Sequence, residues 1–230
     1  MDQTVAKRRA GEAAARWVTS GMHIGLGTGS TTAFAIQALG ARVRAEGLAI
    51  AGVPTSSAAA VLARAEGIPL CDLNDLRGGL DLALDGADEV DPQFNLIKGR
   101  GAAHTREKIV AQHARRFVVL IDPTKQVDQL GTRMPVPVEV LPMAAAAVMR
   151  AIEQLGGRPA IRMGVRKDGP VVTDQGLWVI DARFEGLHDP ASLNHELLML
   201  PGVLDHGLFI GMATDVVVGG PEGVEVLQHR

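Results

Sequence analysis

The chain has 230 residues and a formal net charge of −3, enough for one large domain or for a domain with a smaller second lobe. Hydrophobic residues make up 47% and charged residues 21%, a globular balance that argues against disorder. The charge excludes a basic nucleic-acid footprint, and 3% aromatics without any Tyr leave little material for stacking on bases.

Residues 7–18 carry Ala, Trp17 and Val18 at helical spacing and predict a first helix. Residues 23–26 form a short apolar run, read as a buried strand, which breaks into Gly27-Thr28-Gly29-Ser30-Thr31. A helix is predicted over 32–44 and a strand over 48–53. Thr55 is the expected N-cap of an Ala-rich helix ending near Gly67. Residues 68–72 and 80–84 read as strands, 102–114 as a helix, and 117–121 as a dense apolar strand. Strands alternating with helices imply an α/β fold, a mainly parallel sheet with helices on both faces.

The pattern changes after Gly131, where Pro135, Pro137 and Pro142 punctuate a Val-rich stretch. A helix over 144–155, short strands near Ile161 and over 177–180, and a helix over 191–200 follow. This β-α-β-β-α order predicts a small α+β lobe, ferredoxin-like, over 131–204. Strands at 203–210, 216–218 and 224–227 are expected to rejoin the main sheet. The main domain is then 1–130 with 205–230.

No apolar run reaches the roughly 18 residues of a membrane span. The Met1-Asp2-Gln3 start lacks a basic segment leading into an apolar one, so a cytoplasmic location is expected. Cys71 is the single cysteine, which excludes an intramolecular disulfide. Within Ile68-Pro69-Leu70-Cys71 it reads as a buried small hydrophobe and not as a nucleophile.

Gly25-Leu26-Gly27-Thr28-Gly29-Ser30-Thr31-Thr32 lies between a predicted strand and a predicted helix, where open parallel sheets bind ligands. Glycines let the backbone approach, and free N–H groups at a helix start favour an anion. A dinucleotide fingerprint would need Gly at position 30, and a P-loop would need Lys after Gly29. A small phosphate monoester fits better than NAD or ATP. The plain alternative is a capped turn without a ligand. Lys7 is the candidate counter-cation, against an exposed N-terminal Lys.

Asp85-Gly86-Ala87-Asp88-Glu89-Val90-Asp91 also follows an apolar strand. Its carboxylates either cap backbone N–H groups or face a ligand. The spacing does not suit a calcium loop, and no nucleotide motif is present for a magnesium site to serve. Lys98-Gly99-Arg100-Gly101 then sets an ammonium beside exposed amides, and Glu107 follows in Arg106-Glu107-Lys108. Alone, that triplet reads as a solvated helix face. With the carboxylates and the lysine it suits proton abstraction beside a carbonyl, by a positioned base and a stabilised oxyanion. Such chemistry needs no metal and no redox cofactor. Of the 23 basic residues only Lys7, Lys98, Lys108, Lys125 and Lys167 are Lys. Positions kept as Lys in so Arg-rich a chain call for a compact, movable ammonium.

The ordered set of segments resembles ribose-5-phosphate isomerase of the A type. It comprises Lys7, Gly25 to Thr31, Asp85 to Glu89, Lys98-Gly99 through Arg106-Glu107-Lys108-Ile109-Val110, and Asp122 to Gly131 with Lys125-Gln126-Val127-Asp128. Pro137-Val138-Glu139-Val140-Leu141-Pro142, Gly156-Gly157-Arg158-Pro159 and Pro201-Gly202-Val203 to Gly207-Leu208-Phe209 extend it over essentially the whole chain. The resemblance implies a Rossmann-like domain with a smaller α+β lobe, assembled as a homodimer or dimer of dimers. It implies a cofactor-free aldose–ketose isomerase of the pentose phosphate pathway, acting on ribose 5-phosphate. Glu107 matches the general base; Asp85, Asp88 and Lys98 match residues of ring opening and enediolate stabilisation. Thr28, Gly29, Ser30, Thr31, Gly86, Ala87, Gly99, Arg100, Gly101 and Lys125 match substrate-binding positions, and Lys7 a phosphate contact. Arg100, where glycine is usual, and His104, where an apolar residue is common, depart from the pattern. The rival from another class is a non-catalytic sugar-phosphate sensor, which would be expected to carry a helix-turn-helix. An amino-sugar-phosphate isomerase and deaminase fits the Asp85, Asp88, Lys98 and Glu107 set less well.

Overall fold

The structure is a computed structural model that describes residues 2–228, so Met1 of the chain start lies outside the described residues. In chain order the elements are α1 (Gln3–Ala15), β1 (His23–Leu26), α2 (Ser30–Glu46), β2 (Ala51–Pro54), α3 (Ser57–Ala65), β3 (Leu82–Gly86), β4 (Glu89–Val90) and β5 (Leu96–Ile97). There follow α4 (His104–Gln112), β6 (Phe117–Ile121), β7 (Val136–Val140), α5 (Ala145–Gln154), β8 (Arg158–Ile161) and β9 (Trp178–Arg183). The last are α6 (Pro190–Leu198), β10 (Val203–His206), β11 (Leu208–Phe209), β12 (Asp215–Gly219) and β13 (Val224–Gln228). Two compact units result. One is Met1–Ala87, Arg106–Gln126 and Met212–Arg230; the other is Asp88–Thr105 and Val127–Gly211.

Among the described residues, the first unit has a six-stranded sheet in the order β13-β12-β6-β3-β1-β2. Every pair is parallel except β12 with β13. Strands β6 and β12 are buried at every position, as expected of a sheet covered on both faces. Ile24, Leu26, Leu84, Leu120 and Val217 share a core with Ala10 and Ala14 of α1, Ile36 and Leu39 of α2, and Ala63 of α3. Each large apolar side chain buried there contributes roughly 1.5–3 kcal/mol. Gly25 and Ala83 point the other way, towards α4. A Cβ on Gly25 would come within 2.4 Å of Val110 Cγ1, so the helix packs directly on the strand backbone.

Two local expectations are corrected. Ser56, not Thr55, caps α3, its hydroxyl accepting from the Ala59 amide at 3.0 Å. The Thr55 amide is already committed to Leu26 O, at 2.9 Å. Residues 68–72 make only a bridge between Leu70 and Gly52. Asp72 then turns the chain by accepting from the Asn74 amide.

In the second unit β7, α5, β8, β9, α6 and β10 build an antiparallel sheet ordered β10-β7-β9-β8. The ferredoxin-like reading holds, but β10 is its fourth strand. The expectation that 203–210 would rejoin the main sheet is therefore wrong; only β12 and β13 do so. Val136, Val138 and Val140 are fully buried, and without β10 the β7 ladder would be left as an unpaired edge. Strand β11 instead pairs with β5 in a three-stranded sheet, β11-β5-β4. The second unit is thus wider than the lobe read over 131–204, since it includes Asp88–Thr105.

Candidate active site

In the first unit the adjacent parallel strands β1, β3 and β6 lead at their carboxyl ends into Gly27–Gly29, Asp85–Gly86 and Asp122–Lys125. Asp85 is only 2% exposed. Its Oδ1 accepts the Thr28 amide at 3.1 Å and the Gly86 amide at 2.8 Å, with the Thr32 hydroxyl at 3.5 Å. Position 27 has to be Gly, because a Cβ there would lie 2.2 Å from Asp85 Oδ1. Thr28 Oγ1 lies 2.8 Å from Thr55 Oγ1 and 2.7 Å from Ser56 Oγ, partners that the sequence reading missed. Gly29, at φ 116°, supplies no side-chain cap to α2. The first-turn amides of Ser30, Thr31 and Thr32 have no acceptor one turn earlier in the helix. With the helix dipole they favour an anion.

The crossover from β3 through α4 to the parallel strand β6 runs the helix against the strands, so its first turn sits at their carboxyl ends. Arg106 agrees, donating to Pro54 O at the end of β2 at 3.3 Å. Glu107, in that turn, is 4% exposed. It is thus no solvated face residue. Gln3 of α1 donates to the Thr124 hydroxyl at 3.3 Å. Lys7 is one turn along the same helix face and Lys125 adjoins Thr124, so both lysines belong to one corner of this unit. Asp122 is 1% exposed and caps that corner by accepting from the Thr124 amide at 3.0 Å.

In the second unit Lys98 is 2% exposed. Its amide donates to Gly207 O at 2.9 Å, and its Nζ stands 5.5 Å from the centre of the Phe209 ring. Gly207 has to lack a side chain, since a Cβ there would meet Lys98 O at 2.1 Å. Asp88 Oδ2 accepts the Arg100 amide at 3.0 Å. The Arg100 guanidinium, 70% exposed, lies 3.9 Å from Asp88 Oδ1. Gly99 sits at φ 102° and Ala102 at φ 57°. The buried His104 ring fills the space a side chain on Gly99 would take.

The capping reading holds for the other acids of that loop. Glu89 accepts from the amides of Gly131, Arg133 and Met134 at 2.6–2.7 Å. Asp91 accepts from Gln93 and Asn95 at 2.9 and 2.8 Å. Cys71 is half-buried, less covered than expected. Burial, with Asp75 and Asp72 nearby, pushes its thiol up, away from a thiolate nucleophile. Among the described residues no group of three or more His, Cys, Asp or Glu is set to hold a metal ion. No helix among them is long and apolar enough to cross a membrane.

The family model for ribose 5-phosphate isomerase A (phosphoriboisomerase A) matches residues 51–223. The chain belongs to this family. Ribose-5-phosphate isomerase A of Thermosynechococcus vestitus is 58% identical over 95% of this chain and 91% of its own. That of Haloarcula marismortui is 56% identical over 96% and 94%. A D-ribose-5-phosphate isomerase solved in complex with phospho-erythronic acid superposes with a TM-score of 0.97 at 45% identity, covering 99% of this chain and 100% of its own. The enzyme of Methanocaldococcus jannaschii gives 0.93 at 45% identity, covering 96% and 97%.

Proposed function

We infer that the chain interconverts D-ribose 5-phosphate and D-ribulose 5-phosphate through a cis-enediolate, with Glu107 as general base. The observation that carries the reading is family membership over nearly the whole chain. The opened aldose presents a weakly acidic C2–H beside the C1 carbonyl. Glu107 takes that proton, the C–H electron pair forms the C1–C2 double bond, and charge moves onto O1. The Lys98 ammonium and loop amides stabilise the oxyanion. A proton passes from O2 to O1, the carbonyl forms at C2, and Glu107 returns its proton to C1. Asp85 and Asp88 hold sugar hydroxyls and assist ring opening.

The phosphate belongs with the α2 amides, Ser30, Thr31, Lys7 and Lys125. The phospho-erythronic acid bound by the structural relative fits this scheme, because a planar carboxylate imitates the two oxygens of an enediolate and the phosphate sits at the far end. The cytoplasm is the expected location, and a homodimer or dimer of dimers the expected assembly.

The test is incubation with ribose 5-phosphate in deuterated water containing EDTA. Ribulose 5-phosphate should form with deuterium at C1. A chain that makes no ribulose 5-phosphate would be a sugar-phosphate sensor instead.

A further inference from the structure

We propose that Arg162 is a positioning residue for this reaction, a clamp that fixes the amides of the Lys98–Gly101 loop. Arg162 lies just beyond β8, outside every segment that suggested the function. Its Nη1 donates to Gly99 O at 2.9 Å and to Arg100 O at 3.0 Å. Asp181 of β9 holds the other edge of the guanidinium, accepting from Nε at 2.9 Å and from Nη2. The register of β8 on β9 sets this up by pairing Ala160 with Asp181, two residues before Arg162. The Arg162 amide also donates to Val179 O at 2.8 Å. The guanidinium therefore belongs to a rigid sheet, not to the loop it grips.

A trans peptide is planar, and its C=O and N–H point in opposite directions. The Gly99–Arg100 peptide is held at both ends, its carbonyl by Arg162 and its N–H by Asp88 at 3.0 Å. The Arg100–Gly101 peptide is held by its carbonyl, so the Gly101 N–H must point away from Arg162 and is presented to a substrate oxygen. Gly99 and Ala102 both have positive φ, a conformation that is costly for Ala and needs outside support. A lysine at 162 could not bridge two carbonyls while keeping both carboxylate oxygens.

The proposal rests on the isomerase reading, and the tests separate the two. Arg162→Gln and Arg162→Lys should each lower kcat/KM for ribose 5-phosphate by about tenfold or more, since small misplacement of catalytic groups is costly. The charge swap Arg162→Asp with Asp181→Arg restores the ion pair but sets a carboxylate against the loop carbonyls. Its melting temperature should recover while kcat/KM stays low. Recovery of both, or wild-type kcat/KM in Arg162→Lys, overturns the clamp. Hydrogen exchange is independent of activity. In Arg162→Gln the Arg100 amide should exchange roughly tenfold faster while the β7 and β9 amides stay protected. Unchanged exchange at Arg100 overturns the clamp even if the chain proves to be no isomerase.

Discussion

In the first unit the turn after β1 is gripped by an anion. Asp85 takes the amides of Thr28 and Gly86. In the second unit the loop after β5 is gripped by an anion and a cation together. Asp88 takes one amide, and Arg162 takes two carbonyls. The difference decides what each loop has left to offer. A carboxylate consumes N–H donors, so the first loop offers an anion the amides further on, at the start of α2. A guanidinium consumes acceptors, so the second loop keeps donors beside Lys98. Glycines announce that the backbone can come close to a ligand, but the gripping side chain determines which polar group arrives.

In the proposed mechanism both loops bind and polarise, and Glu107 moves the proton. The largest expected effect therefore lies outside them. Glu107→Gln should lower kcat on the order of 100-fold or more with the fold intact, because a positioned general base contributes that much. Near-normal turnover at an unchanged melting temperature would return the chemistry to the loops. Lys98→Arg comes next, with kcat reduced roughly tenfold or more and KM less affected. Lys98 is 2% exposed with its ammonium 5.5 Å from the centre of the Phe209 ring, and a planar fork does not fit where a point charge is packed. An unimpaired Lys98→Arg enzyme would mean that the loop amides suffice for the oxyanion.

What could be read in advance follows the same division. The parallel sheet was legible because its strands are buried on both faces and run apolar without interruption, as Phe117–Ile121 does. Asp85 and Lys98 stand out in the sequence as candidates because each ends an apolar run beside glycine. Glu89 and Asp91 share that stretch, and their carboxylates accept from backbone amides just as those of Asp85 and Asp88 do. Neither residue type nor amide capping alone tells which of these carboxylates faces a ligand. Strand β10 was misassigned because an apolar run carries no mark of the edge it will pair with. Arg162 was invisible because its partners lie about 60 residues away in sequence and meet it only through the register of two short strands.

A smaller effect isolates the first loop. Gly27→Ala inserts a methyl group 2.2 Å from Asp85 Oδ1, so the carboxylate must retreat from the amides it holds. The expected loss is about 2 kcal/mol of stability, from charged hydrogen bonds broken in a buried place. KM for ribose 5-phosphate should rise with it, while kcat falls less than in Glu107→Gln. An unchanged KM would show that Asp85 does not shape the anion site.

The smallest effect comes from a second bidentate Arg–Asp pair. Arg116 donates to Asp215 through Nε at 3.2 Å and Nη2 at 2.8 Å, as Arg162 does to Asp181. Its pair stands at the amino end of β12, away from the strand ends that carry the first unit's site residues. Burial pushes the Asp215 carboxyl up, but hydrogen bonds from Arg116, Thr214 and Gln228 outweigh it and hold the group below the usual carboxylate range. The folded state therefore binds this proton less readily than the unfolded chain. The stabilisation is complete above the unfolded value of about 3.9 and fades as pH falls through the lower folded value. Asp215→Asn should cost about 1–2 kcal/mol at neutral pH, with the gap to the parent narrowing below about pH 4 in urea titrations and kcat/KM unchanged. A gap independent of pH would mean that the ionised carboxylate contributes nothing its amide does not. A fall in kcat/KM at constant stability would mean that another Arg–Asp pair also disturbs this site, and the special place given to Arg162 would then have to rest on the exchange rate of the Arg100 amide alone.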